Sequence, residues 1–225
     1  HELTVDYHLK GYQLAVHAIG DAAIEQTLDA MEAALAQAPD PARRHRIEHC
    51  GFNSPAQIAR MKRLGIEPVP QPIFIHDFGD LYVSVLGPER SHASYPMREW
   101  IAAGLKPAAS TDAPVCDANP FPNFYVMVTR KTRDGTVIGG DQTLSMAEAI
   151  AAYTDFGAFV NKQESEVGRL NPGMAADIAV WSRDLLSAAP DEVLRDTHCA
   201  LTILGGRVVH DASGKLADDL IGREA

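Results

Sequence analysis

Basic clusters are missing from this sequence. Its 20 lysines and arginines are outnumbered by 30 aspartates and glutamates, and the formal net charge is −10. That balance argues against a nucleic-acid or anionic-membrane surface. No apolar run reaches the roughly 18 residues that a membrane span needs. The first residues carry no signal-peptide pattern, and the chain opens on His1 rather than methionine, so its first residue need not be a natural start. Cysteine is scarce: Cys50, Cys116 and Cys199 are odd in number and far apart. They read as reduced thiols of a cytoplasmic protein, not as a disulfide framework or a zinc ribbon. No Walker motif, G-x-G-x-x-G, G-x-S-x-G or H-E-x-x-H occurs, so phosphate-loop, dinucleotide, serine-hydrolase and zincin readings have no footing. There is enough apolar sequence, 46% of 225 residues, to bury a core.

What is present alternates. Residues 12–19 ("YQLAVHAI") read as a buried strand, and Asp21 follows as a cap. Ile24, Leu28, Met31 and Leu35 then fall on one helical face. "HRIEHC" (45–50) reads as a second strand. "SPAQIARMKRL" (54–64) reads as a helix with Ser54 as N-cap, Pro55 at its first position and Gly65 as its stop. "IEPVPQP" reads as a third strand and "LKPAAS" (105–110) as a fourth, with a short helix at 97–103 between them. Ser145 and Glu148 form a capping-box pattern that opens a long helix through residue 160. Residues 74–94 show no clear period, which marks them as a binding loop. Repeated strand–helix units predict a parallel sheet with covering helices. From Gly168 onward "ADIAVWS", "ALTILGG" and "RVVHD" predict a small β unit, with Gly205–Gly206 as a hairpin turn.

Ligands of such parallel sheets bind at the carboxyl ends of the strands. The first strand ends in His17 and the second in Glu48–His49. The third runs into Gln71 with His76 and Asp77 beyond, and the fourth ends in Ser110-Thr111-Asp112. Each polar residue alone has an ordinary structural reading, as a satisfied core histidine or a turn-capping aspartate. Together, His17, His49 and Asp112 make a metal set: imidazole nitrogens and a carboxylate suit zinc or another first-row divalent ion. His45 and His49 are a poorer pair. On a strand, four residues span about 13 Å at about 3.3 Å each, too far to share an ion. His45 is read as structural, His8 as incidental, and Cys116 as an inert buried thiol. His76 and Asp77 are candidate substrate contacts.

At these residues the sequence resembles the amidohydrolase superfamily, within its amidohydrolase-3 group of YtcJ-like proteins and N-substituted formamide deformylases. The resemblance lies in "AVHAIGDAAIEQTLDA", "HRIEHC", "SYPMREWIAAGLKPAASTDAPV", "LSMAEAIAAYT" and "GRLNPGMAADIAVWSRD…GGRVVHD", in the family's order through most of the chain. It implies a (β/α)8 metal-dependent hydrolase with a β-sandwich built by both termini. The histidines ending strands five and six would be metal ligands, here His17 and His49. The aspartate ending strand eight, here Asp112, would be both ligand and general base. The chain departs from the family in having no H-x-H and no strand-four lysine. A full barrel also takes about 250 residues. The expected architecture is therefore α/β, the C-terminal half (strands five to eight) of a TIM-type barrel over residues 1–167, then a β-sandwich portion over 168–225.

Two classes of function follow. The first is a metal-dependent hydrolase of amide-type C–N bonds acting on a small molecule, incomplete here and joined by a missing N-terminal half or by further copies of itself. The second is a non-catalytic half-barrel acting only through such assembly. A doubly wound binding protein would need no missing half, but it leaves the His17, His49 and Asp112 set unexplained.

Overall fold

The structure, a computed structural model, describes residues 1–215. It is an α/β fold with two separate three-stranded sheets. In chain order the first part contains α1 (Glu2–Leu9), β1 (Ala15–Ala18), α2 (Asp21–Gln37), β2 (Arg46–His49), α3 (Pro55–Leu64) and β3 (Glu67–Val69). The three strands run parallel in the order β1-β2-β3, as the strand–helix alternation predicts, with β1 at the edge. Alternation along β1 and β2 sends Ala18 and Ile47 into the core, with Val16 packed on it. Ala15 and His17, on the other face, are exposed.

The helices form where the sequence pattern places them. Ile24, Leu28, Met31 and Leu35 of α2 are all buried. The start of α3 is a capping box: Ser54 Oγ accepts from Gln57 N, and Gln57 Oε1 accepts from Ser54 N, which satisfies two otherwise orphaned donors. Gly65 ends it at φ 67°, a conformation a side chain would disfavour. Arg60 of α3 reaches Glu25, Asp29 and Glu32 of α2 and ties the two helices together.

Residues 74–94 are not a loop. They belong to α4 (Ile73–Leu86) and α5 (Pro88–His92). Ile73, Phe74 and Ile75 are consecutive and all buried. Burial on several sides of the first turn blurs the 3.6-residue period that marks a surface helix. After α6 (Met97–Ala102), residues 105–110 are extended but do not complete a fourth strand. They bond β3 and its exit through Ala108 N to Pro68 O (3.2 Å) and Ser110 N to Pro70 O (3.0 Å). Pro68, Pro70 and Pro107 have no N–H to donate, so the ladder stays thin.

α7 (Phe121–Thr129) precedes α8 (Met146–Tyr153) and α9 (Asp155–Val160). The expected single helix over 145–160 is broken at Thr154, with φ −123° and ψ −85°. The Ser145–Glu148 capping box opens α8 as expected. Beyond it, β4 (Ile178–Trp181), α10 (Pro190–Asp196), β5 (Cys199–Leu204) and β6 (Arg207–Asp211) follow. These strands form an antiparallel sheet apart from the first. Gly205 and Gly206 turn the hairpin at φ 57° and 80°, the two positive values that a tight two-residue hairpin takes. Trp181 stacks its ring against Phe121 and Phe124 of α7, and Leu185 and Val193 join the main core.

His8 is not incidental. It lies buried on α1 with its Nδ1 2.9 Å from His45 Nε2 and its Nε2 2.8 Å from Ala38 O. His45 Nδ1 accepts from Leu14 N at 3.0 Å. This chain docks α1 beneath the start of β1 and β2. Among the described residues no helix is long and apolar enough to cross a membrane.

Candidate metal centre

His17 stands on β1 opposite Glu48 of β2, and the last pair in the register is Ala18 with His49. Strict alternation would therefore put His49 on the opposite face from His17. The backbone prevents this. His49 has φ 67° and the next residue, Cys50, has φ 51°. Two consecutive left-handed residues break the strand geometry and re-aim the imidazole. The His17 and His49 rings meet edge to face with centroids 4.5 Å apart. The bend is held by Cys50 N on Ala18 O and Phe52 N on Ile19 O. The Cys50 side chain is fully buried, and burial pushes its thiol up to about 12. Left-handed conformations of bulky residues cost about 1–3 kcal/mol and gather at functional sites.

His49 is 6% exposed, and its Nδ1 is buried with no hydrogen-bond partner. An unpaired buried polar nitrogen is uncommon. An imidazole nitrogen with no protein partner is what an imidazole metal ligand needs. Glu48 lies between the two histidines in sequence and register. Burial pushes its carboxyl above the ordinary range, opposed by the Arg46 guanidinium and by His49 and assisted by the Asp112 charge.

Asp112 comes two residues after Ser110, at φ 55°, and its carbonyl accepts from Val115 N at 2.8 Å. Its carboxylate is exposed. The structure thus brings two of the three expected ligands together, His17 and His49, and sets Asp112 within electrostatic reach of Glu48 beside them. Among the described residues, no three His, Cys, Asp or Glu side chains are grouped closely enough to hold an ion. The donors that are present suit a divalent metal. They are two imidazoles, one with a free buried nitrogen, and a nearby carboxylate.

His76 and Asp77 sit on α4, not in a loop. Asp77 Oδ1 accepts from His76 Nδ1 (2.7 Å) and Arg133 Nη2 (3.0 Å). Burial alone would raise the Asp77 carboxyl. His76, Cys116 and Arg133 outweigh it and hold the carboxyl below the ordinary range. Burial, then the Asp77 carboxylate, pushes the Cys116 thiol up to about 12, in keeping with an inert thiol. Phe74, one turn earlier, packs 5.9 Å from the His49 ring.

Two buried amides went unrecognised as site residues in the sequence. Gln71 follows β3 and donates to Val69 O and Ser110 Oγ, and Asn123 of α7 donates to Ser110 O. Gln71 is visible as a strand-end residue, but no spacing points to Asn123.

The profile of the Amidohydrolase family (Amidohydro_3) matches residues 2–210. The chain belongs to the amidohydrolase family. Among the relatives of this amidohydrolase-family chain is the N-substituted formamide deformylase of Arthrobacter pascens, 29% identical over 215 residues, covering 95% of this chain and 39% of the relative. Protein LONG AFTER FAR-RED 3 of Arabidopsis thaliana is 31% identical over 205 residues, 89% of this chain and 34% of its own. The crystal structure of an uncharacterized metal-dependent hydrolase from Pyrococcus horikoshii OT3 superimposes with a TM-score of 0.71 at 29% identity, over 84% of this chain and 38% of that one. The chain therefore spans about two fifths or less of the length of each of these three proteins.

Proposed function

We propose that this chain supplies His17, His49 and Asp112 to the divalent-metal centre of a hydrolase that cleaves amide-type C–N bonds. The observation that carries the reading is the His17–His49 pair at the carboxyl ends of adjacent parallel strands, with His49 Nδ1 left free. Zinc is the ion that best suits these donors. Such an ion lowers the pKa of bound water toward about 7 and polarises a carbonyl. The chain's own residues do the rest. The imidazoles of His17 and His49 would hold the ion through neutral nitrogens. The Asp112 carboxylate takes a proton from the attacking water and returns it to the leaving amine nitrogen. His76 and Asp77, on the helix that also carries Phe74, are proposed to border the small-molecule substrate.

In the same reading, residues 1–167 are the C-terminal half of a (β/α)8 barrel and residues 168–215 belong to the late strands of a β-sandwich; residues 216–225 of that expected portion lie outside the described residues. The exposed His17 face, and the edge position of β1 among the described strands, support this, because a closed barrel leaves no strand edge. The partner is a missing N-terminal half or a second copy of the chain. A second reading, a half-barrel without catalysis, is favoured by the lack of a third grouped ligand among the described residues. A zinc titration of the chain, alone and mixed with the N-terminal part of a relative, separates the two. The metal reading expects uptake that strengthens on mixing and is lost in His17→Ala and His49→Ala. No uptake in either sample overturns it.

A further inference from the structure

Resting on that reading of Asp112, we infer that Gln71 and Asn123 are positioning residues that set the Asp112 turn. Both are almost fully buried, 3% and 0% exposed, and both hold Ser110, two residues ahead of Asp112. Gln71 Nε2 donates to Ser110 Oγ at 2.9 Å and to Val69 O at 3.1 Å. Asn123 Nδ2 donates to Ser110 O at 2.7 Å and also reaches the Tyr153 hydroxyl. Val69 O and Ser110 O carry no proton, so each amide must present its nitrogen to them. That fixes the flip of both side chains and leaves Gln71 Oε1 and Asn123 Oδ1 buried without partners. Unpaired buried amide oxygens lower stability. Two of them around one serine are poorly explained by packing alone and well explained by the need to hold that serine.

The need is local. Ser110 is where the sheet thins: its backbone N–H goes to Pro70 O, the ladder neighbours are prolines, and Asp112 follows at φ 55°. The two amides grip Ser110 from different elements, the exit of β3 and α7. They replace the ladder that a full strand would have given, and they set the height and angle at which Asp112 leaves the sheet.

The test pairs Asn123→Leu with Gln71→Leu and reads both amide exchange and zinc affinity. Each variant should speed exchange at Ser110 and Val115 about tenfold, with Ile47 and Glu48 unchanged. Each should also weaken zinc binding about tenfold, the usual effect of losing an outer partner of a ligand. Ser110→Ala removes the Gln71–Ser110 bond but leaves the Gln71–Val69 bond, so its effect combined with that of Gln71→Leu should be less than the sum of the two. Uniform acceleration across the sheet, or an unchanged Val115, overturns the inference. If the wild-type protein takes no zinc, the metal reading fails while the exchange pattern still decides this one. If Asn123→Leu does not fold, Gln71→Leu reads the same amides from the other side.

Discussion

Strands β1 and β2 have a histidine pair at each end, and the ring geometry of the two pairs is nearly the same. His8 and His45, below the starts of the strands, lie 5.0 Å apart at 73°; His17 and His49, at their ends, lie 4.5 Å apart at 77°. Their hydrogen bonding differs. Leu14 N–H occupies His45 Nδ1, so a neutral His45 carries its proton on Nε2 and donates it to His8 Nδ1. His8 then carries its own proton on Nε2 and donates it to Ala38 O. All four nitrogens are in use. In the upper pair, His49 Nδ1 has no partner and His17 faces outward. Two stacked imidazoles alone do not distinguish a structural histidine pair from a ligating one. In the proposed reading, the nitrogen left over on His49 is what sets the upper pair apart.

That contrast can be broken by substitution. The largest effect is expected at Asp112. In the assembled hydrolase proposed above, Asp112→Asn should cut hydrolysis by about 10²–10⁴-fold with the fold intact, because an amide cannot take the proton. Steady-state rates on any cleaved amide, beside an unchanged circular-dichroism melt, check this. His17→Ala and His49→Ala should lower zinc affinity by about a hundredfold or more with little change in stability, while His8→Ala and His45→Ala should do the reverse. The lower pair should lose about 2–3 kcal/mol, since each truncation strands a buried partner. Zinc competition and urea melts on the four variants decide it, and a swapped pattern would reverse the roles of the pairs.

Acid sharpens the comparison. Burial, then the His8 and Arg43 charges, hold the His45 pKa down to about 4 from 6.5, with Lys162 adding to them and Asp40 opposing. On acidification the unfolded chain takes up the proton first. The contribution of His45 is therefore complete above pH 6.5 and is lost as pH falls from 6.5 to about 4, roughly 3 kcal/mol in all. Urea melts across that range should show the loss, and His45→Gln should flatten it.

Local chemistry was legible in the sequence, and distant chemistry was not. The caps at Ser54 and Ser145, the stop at Gly65 and the hairpin at Gly205–Gly206 each depend on a few adjacent residues, and each stands where the pattern puts it. The placement of His17 and His49 at strand ends was legible for the same reason. The α4 helix was hidden because its first turn is buried on several sides. The fourth strand failed because prolines interrupt a ladder whose partners are far apart in sequence. The part played by His8 rests on a contact 37 residues away. The grip of Asn123 on Ser110 spans 13 residues and two elements, and the left-handed backbone at His49 leaves no mark in its neighbours' identity.

That backbone also bears on how the site can be lost. A residue other than glycine pays about 1–2 kcal/mol to sit in the left-handed region, and glycine does not. His49→Gly should therefore melt within about 1 kcal/mol of the parent while giving up the imidazole, a small shift that calorimetry can read. Over generations the fold offers this position no protection. A lineage released from selection at this position could drop the imidazole, through the two nucleotide changes that separate a histidine codon from a glycine codon, and keep a well-folded protein.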